Sequence, residues 1–167
     1  MAFVHLRTHT EFSVVDGTLR IDDAVAAARA DGQGALAITD LSNLFGAVKL
    51  YKGARKAGIK PIIGADVWLE PAGGDQSPSR LLLLVQNQRG YLNLCELLSR
   101  GWLQGVQRAQ AWLAWDWLAE LNEGLIALSG AEMGAIGMAL LARDEVRARS
   151  LAERLAEIFP RRFYLEL

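Results

Sequence analysis

Cysteine is nearly absent from this chain. The single Cys95 excludes an internal disulfide and fits a reducing compartment, and its place in an apolar helical pattern reads as packing rather than chemistry. Long hydrophobic runs are missing as well: the longest, residues 81–85, falls far short of the ~20 residues needed to span a bilayer. The N-terminus enters a strand-like run without the basic region and apolar core of a signal peptide, so a cytoplasmic location is expected. Positive charge is not in excess. Eighteen lysines and arginines against 19 aspartates and glutamates give a formal net charge of −1, whereas a domain that grips phosphates over a broad surface is normally basic. Little direct DNA binding is therefore expected. No GxGxxG follows the first strand and no phosphate-binding P-loop occurs, which removes the usual markers of a nucleotide cofactor.

What is present points to one globular domain. The chain has 167 residues, 51% hydrophobic and 22% charged, enough to bury a sizeable core. Residues 35–69, ALAITDLSNLFGAVKLYKGARKAGIKPIIGADVWL, organise it. Residues 35–39 suit a buried strand. Leu44, Val48, Tyr51 and Ala54 recur at spacings of three and four, as on a helix face packed against a sheet. Asn43 or Ser42 can cap that helix, and Gly58 can end it in a left-handed turn. Residues 61–69 form a second strand. Strand, helix and strand with short joints make a βαβ unit, which places Asp40 and Asp66 at the C-terminal ends of two neighbouring parallel strands.

The rest of the chain continues the alternation. Six strands are expected, at residues 3–7, 35–39, 61–69, 81–85, 125–129 and 163–167, with about as many helices between them, which argues for a parallel sheet or a (β/α) barrel. Asp22 or Asp23 opens the first helix. Residues 88–103, 132–141 and 145–159 read as further helices, and residues 70–79, with two prolines and two glycines, as the loop expected to move most. Trp102, Trp112, Trp115 and Trp117 crowd one segment. Too few basic residues interleave them for a platform that stacks on bases, so they read as packing of short helices against the sheet.

Four stretches carry a family resemblance: FVHLRTHTEFSVVDG, residues 35–69, RLLLLVQNQRGYLNLCELLSR and GLIALSGAEMG, in that order. Together they resemble the PHP (polymerase and histidinol phosphatase) domain family, in the form found at the N-terminus of the α subunit of bacterial DNA polymerase III. The stretch NLFGAVKLYKGARKAGIKPIIGADV is closer to the replicative α subunit than to its error-prone paralogue or a free-standing phosphatase. The resemblance implies an α/β fold, a PHP-type distorted (β/α)7 barrel, here truncated to about six parallel strands with outer helices. It also implies an N-terminal fragment whose polymerase body lies beyond residue 167.

Active members of this family hold a cluster of metal ions at the strand ends, and the ligand pattern can be carried over one position at a time. The first histidine of the H-x-H pair falls on Arg7 and the second on His9; His5 precedes the pair and does not replace it. The aspartate before glycine is Asp16. The histidine after Thr39 and Asp40 is Leu41, the glutamate is Asp66, the fourth-strand histidine is Arg80, and the cysteine is Ala131. Only His9, Asp16 and Asp66 keep metal-binding side chains. Leucine and alanine offer no donor, and arginine brings a charge it cannot lose. The expectation is a retired metal site, rebuilt as a salt-bridge cluster in which Asp40 is buried and accepts hydrogen bonds from a neighbouring loop or from an arginine, with Arg7 the favoured partner, and with no tightly bound metal and no catalytic residue. The resemblance further implies a docking role, with the remainder of the α subunit and the separate proofreading exonuclease (ε) subunit as partners. Two alternatives come from other classes. One is an active metal-dependent phosphoesterase or intrinsic 3′–5′ exonuclease, which would need histidine at positions 7, 41 and 80. The other is a DNA-binding module, which the net charge disfavours. An open barrel would also expose strand edges at Phe3 and Phe163, through which the fragment could dimerise.

Overall fold

The structure, a computed structural model, describes residues 3–72 and 77–166. They fall into two compact units that divide between Asp66 and Val67.

In the first unit, α1 (Ile21–Ala30) buries Ile21, Ala24, Val25 and Ala28, spaced three and four apart. β1 (Ala35–Ile38), α2 (Ala47–Ala57) and β2 (Lys60–Leu69) follow, and residues 60–66 of β2 belong to this unit. β1 and β2 pair in parallel, from Ala35 opposite Lys60 to Ile38 opposite Ile63, so the βαβ unit forms as the pattern predicts. Gly58 closes α2 at φ 78°, a left-handed turn that a Cβ would strain. Residues 5–8 run beside β1 without forming a regular ladder: the Ala37 and Thr39 N–H groups donate to the His5 and Thr8 carbonyls at 3.0 Å each. Ile21, Val25, Leu36, Ile38, Leu50 and Ile59 are at the centre of the core.

α2 turns a different face inward from the one its spacing suggests. Asn43 caps a turn rather than the helix. Its Oδ1 accepts from the Phe45 N–H at 3.0 Å, and its Nδ2 donates to the Phe12 and Leu41 carbonyls, both at 3.0 Å. The helix therefore starts only at Ala47, and Ala47, Leu50 and Ala54 form its buried stripe. Val48 and Tyr51, expected inside, are 63% and 53% exposed. α1 meets this segment with Ile21 and Val25: a Cβ at Gly46, the residue before α2, would lie 2.7 Å from Ile21 Cδ1, and one at Gly53 would lie 3.9 Å from Val25 Cγ2. Gly46 and Gly53 leave room for these two side chains, and Val48 and Tyr51 stay outside.

The second unit begins with residues 67–69 of β2, which pair in parallel with β5 (Gln110–Leu113). β3 (Ser79–Val85) is nearly all buried. The middle of the loop preceding it, residues 73–76, lies outside the described residues, and so does Leu167. β6 (Leu125–Leu128) pairs with β3 antiparallel, Leu82 opposite Leu128 and Val85 opposite Leu125, which departs from the all-parallel arrangement expected. The connection explains the reversal. α3 (Gln88–Gln104), a hairpin of β4 (Val106–Gln107) with β5, and α4 (Trp115–Leu121) bring the chain back to the end of β3, where the Gln86 N–H donates to the Gly124 carbonyl at 2.9 Å. β6 thus starts where β3 stops and runs back along it.

The hairpin has no counterpart in the expected six-strand pattern. It turns through Arg108 and Ala109 at φ 49° and 62°, positions where glycine or asparagine is the usual marker. The predicted helix over residues 132–141 is interrupted at Gly134, which separates a 3₁₀ turn (Ala131–Met133) from α5 (Ala135–Leu141). α6 (Glu145–Ile158) forms as its pattern indicates, capped by the Asp144 side chain. β7 is shorter than expected, Phe163–Tyr164, and pairs with β6 in parallel. Trp115 is buried under the Arg154 guanidinium, 4.3 Å from its ring centre, and donates through Nε1 to the Glu70 carbonyl at 3.2 Å, a packing role. Among the described residues, no helix is long and apolar enough to cross a membrane.

Candidate functional site

The first unit gathers Arg7, His9, Asp16, Asp40, Leu41 and Asp66 around the C-terminal ends of β1 and β2. The parallel register continues past β1, where Leu41 bridges Asp66 and the Ser42 N–H donates to the Asp66 carbonyl at 2.8 Å. The Asp66 carboxylate is almost completely enclosed, with its side chain 1% exposed. One oxygen, Oδ2, accepts from both Arg7 Nη1 and His9 Nε2, the latter at 3.1 Å. The other ring nitrogen of His9, Nδ1, meets Asp16 Oδ1 at 2.9 Å. Asp16 is brought there by a tight turn in which the Asp16 and Gly17 N–H groups both donate to the Ser13 carbonyl, at 3.0 and 2.8 Å. Only glycine fits at position 17, because a Cβ would sit 2.0 Å from the Thr10 carbonyl oxygen.

Asp40 belongs to a second, separate set of bonds. It is 1% exposed, as expected, and of the two donors expected, a loop or an arginine, it is the loop that binds it and not the favoured Arg7. Its Oδ1 accepts from the Thr10 N–H at 2.6 Å and the Ser13 hydroxyl at 3.0 Å, and its Oδ2 from the Thr10 hydroxyl at 2.8 Å. The Ser13 hydroxyl in turn accepts from the Leu41 N–H at 2.8 Å. The correction is geometric: the parallel register holds Asp66 where the Arg7 side chain reaches, and the 10–13 turn wraps Asp40 first. Thr10 and Ser13 had no assigned role in the sequence, since nothing in a loop of small polar residues says which carboxylate it will enclose.

His5 takes no part in the cluster and packs edge-on against Phe3, ring centres 4.7 Å apart. The remaining two positions lie in the second unit. Arg80, on β3, is 7% exposed and stacks 4.0 Å over the Trp68 ring. Ala131 opens the 3₁₀ turn whose last flank, Gly134, bridges Arg80.

The donors that a divalent cation would need are engaged with one another. A metal needs several neutral or anionic donors with free lone pairs converging on it. Here both His9 nitrogens face carboxylates, and the Asp66 oxygen beside them carries a permanent guanidinium. Among the described residues, no group of three or more His, Cys, Asp or Glu side chains is arranged to hold a metal. The arrangement is instead a chain of hydrogen-bonded ionisable groups, Arg7–Asp66–His9–Asp16, suited to holding the loop against the strand ends.

That chain sets the proton affinity of His9. The hydrogen bond to Asp66 raises its pKa above the usual imidazole value; burial works against this, and the charges of Asp66 and Asp16 add to it. A raised folded-state value means that the His9 contribution to stability is complete below the unfolded value of about 6.5 and is lost as pH rises through the folded value. The stability difference between the chain and its His9→Gln variant should therefore shrink as the pH of a urea titration is raised from about 6 into the alkaline range. A difference that stays constant over that range would show that His9 does not titrate against these carboxylates.

Comparison with known proteins shows the family of the chain. The PHP domain family model matches residues 5–167. The chain is 50% identical over 167 residues to DNA polymerase III subunit alpha of Pseudomonas aeruginosa, 45% over 169 residues to that of Neisseria meningitidis, and 42% over 165 residues to that of Escherichia coli. It is covered over 99–100% of its length but spans only 14–15% of theirs. Among solved structures, a putative metal-dependent phosphoesterase from Bifidobacterium adolescentis aligns over 93% of this chain and 82% of its own, with a TM-score of 0.50 at 10% identity, so the α/β fold is shared. The chain belongs to the PHP domain family, in the form that resembles the DNA polymerase III α subunit.

Proposed function

We propose that this chain serves as the PHP domain of a replicative DNA polymerase III α subunit, and that it does so as a structural and docking domain without metal chemistry of its own. The observation that carries the second half is Asp66, whose buried Oδ2 takes a guanidinium and an imidazole together. The whole protein would be a DNA-directed DNA polymerase, a nucleotidyltransferase transferase acting in DNA replication in the cytoplasm. Its polymerising residues would lie outside this chain. The remainder of the α subunit and the separate proofreading exonuclease (ε) subunit are the partners this reading assigns, with little direct contact to DNA.

Elemental analysis of the chain purified without chelator is expected to show well under one zinc, manganese or iron per molecule. Stoichiometric metal would overturn the reading, as would a phosphodiesterase activity that His9→Ala abolishes. Either result would favour the active phosphoesterase or intrinsic exonuclease instead.

The same reading predicts self-association of the chain on its own. β7 is the last strand in its sheet order, and its outer side has no strand partner among the described residues. An unpaired edge is a template for pairing with another chain. Sedimentation over a range of concentrations should reveal a dimer, and a monomer at every concentration would remove this expectation.

A further inference from the structure

The outer face of α2 is the feature that the carboxylate cluster leaves unused. Phe45, Val48 and Tyr51 are 75%, 63% and 53% exposed. At a spacing of three they line up along one side of the helix and its entry turn. Phe45 is held on a fixed backbone, because Asn43 binds its N–H and ties the same turn to Phe12. The helix also carries Lys49, Lys52, Arg55 and Lys56 and no acidic residue. Lys49 is engaged by Glu11 at 3.1 Å and Asp22 at 3.3 Å. The Arg55 guanidinium lies 5.9 Å from the Tyr51 ring centre. Lys52 and Lys56 are exposed and have no acidic partner among the described residues.

We propose that this stripe is a docking surface for a separate protein chain that presents an amphipathic helix with an acidic rim. The composition favours a protein over a nucleic acid. Interface centres are enriched in aromatic residues and arginine, which Phe45, Tyr51 and Arg55 supply. Val48, between the two rings, offers no π face on which a base could stack. A membrane-surface helix needs a broader apolar face than three side chains. The partner's charge follows from complementarity: a helix bearing unpaired Lys52 and Lys56 beside its apolar stripe attracts carboxylates and repels a basic segment. The inference stands whether or not the Asp66 cluster is catalytically silent.

The test is a selection of displayed helical peptides against the chain, depleted beforehand on a Phe45→Ser/Val48→Ser variant, with the retained sequences measured by fluorescence anisotropy. The expected outcome is enrichment of sequences rich in glutamate and aspartate, with apolar residues at helical spacing. Their affinity should fall by about tenfold or more for Phe45→Ser/Val48→Ser. It should fall by about tenfold at low salt for Lys52→Glu/Lys56→Glu, with that second loss shrinking as salt is added. All four side chains are exposed, so both variants should keep the parent urea midpoint, and the charge-reversal pair decides the matter if the apolar pair does not. Three outcomes would overturn the proposal: no enrichment of acidic amphipathic sequences, equal binding to the parent and both variants, or tighter binding of an oligothymidine or of phosphatidylserine vesicles through the same residues.

Discussion

Asp40→Ala is expected to destabilise the chain by about 3–5 kcal/mol, a large part of the ~5–15 kcal/mol that holds a domain of this size. The reason is the number of groups that lose their acceptor at once. The Thr10 N–H, the Thr10 hydroxyl and the Ser13 hydroxyl all end on this carboxylate, and Thr10 and Ser13 are 2% and 1% exposed. A buried donor without a partner loses its hydration and gains nothing in return, at about 1–3 kcal/mol each, and such losses add only partly within one network. Asp40→Asn keeps the shape and one acceptor oxygen for the Thr10 N–H and Ser13 hydroxyl, so its effect should be smaller, about 1–2 kcal/mol. Urea unfolding followed by circular dichroism measures both. An unchanged midpoint for Asp40→Ala would mean that water reaches this carboxylate and that the 10–13 turn does not depend on it.

Asp66→Ala should be nearly as severe, at about 2–4 kcal/mol, for a different reason. It removes the carboxylate shared by Arg7 and His9 and leaves these two side chains facing each other. The Arg7 side chain is 31% exposed, so water can recover part of its solvation, which keeps the expected loss below that of a fully buried pair. The replacement Arg7→Met/Asp66→Leu should then be milder than Asp66→Ala alone, because no buried charge is left unmatched. A double change at least as damaging as the single one would show that the cluster contributes through specific geometry rather than through charge balance. Asp66→Ala has a second readout. The largest cause of the raised His9 pKa is its bond to Asp66, so the imidazole resonances followed by NMR should titrate at lower pH in that variant.

The sequence by itself determined the local elements. The βαβ unit over residues 35–69 is legible because its strands are short apolar runs and because Gly58 marks a helix end that needs positive φ. The motifs carrying the family resemblance are contiguous stretches, and each of Arg7, Leu41, Arg80 and Ala131 is read within one of them. Tertiary structure decided what depends on residues far apart in the chain. Periodicity showed that α2 has an apolar side, but the close approach of α1 selected Ala47, Leu50 and Ala54 for burial and left Val48 and Tyr51 outside. The composition of the cluster was legible, but its pairing was not: Arg7 and Asp66 lie 59 positions apart and Thr10 and Asp40 lie 30 apart. Which carboxylate meets which donor depends on strand register and on the path of one turn. β3 and β6 pair antiparallel for the same kind of reason, since strand direction is set by where the intervening helices return the chain. Local pattern fixes what a segment is, because its cause lies within a few residues; which partner it meets is fixed only when the whole chain closes around it.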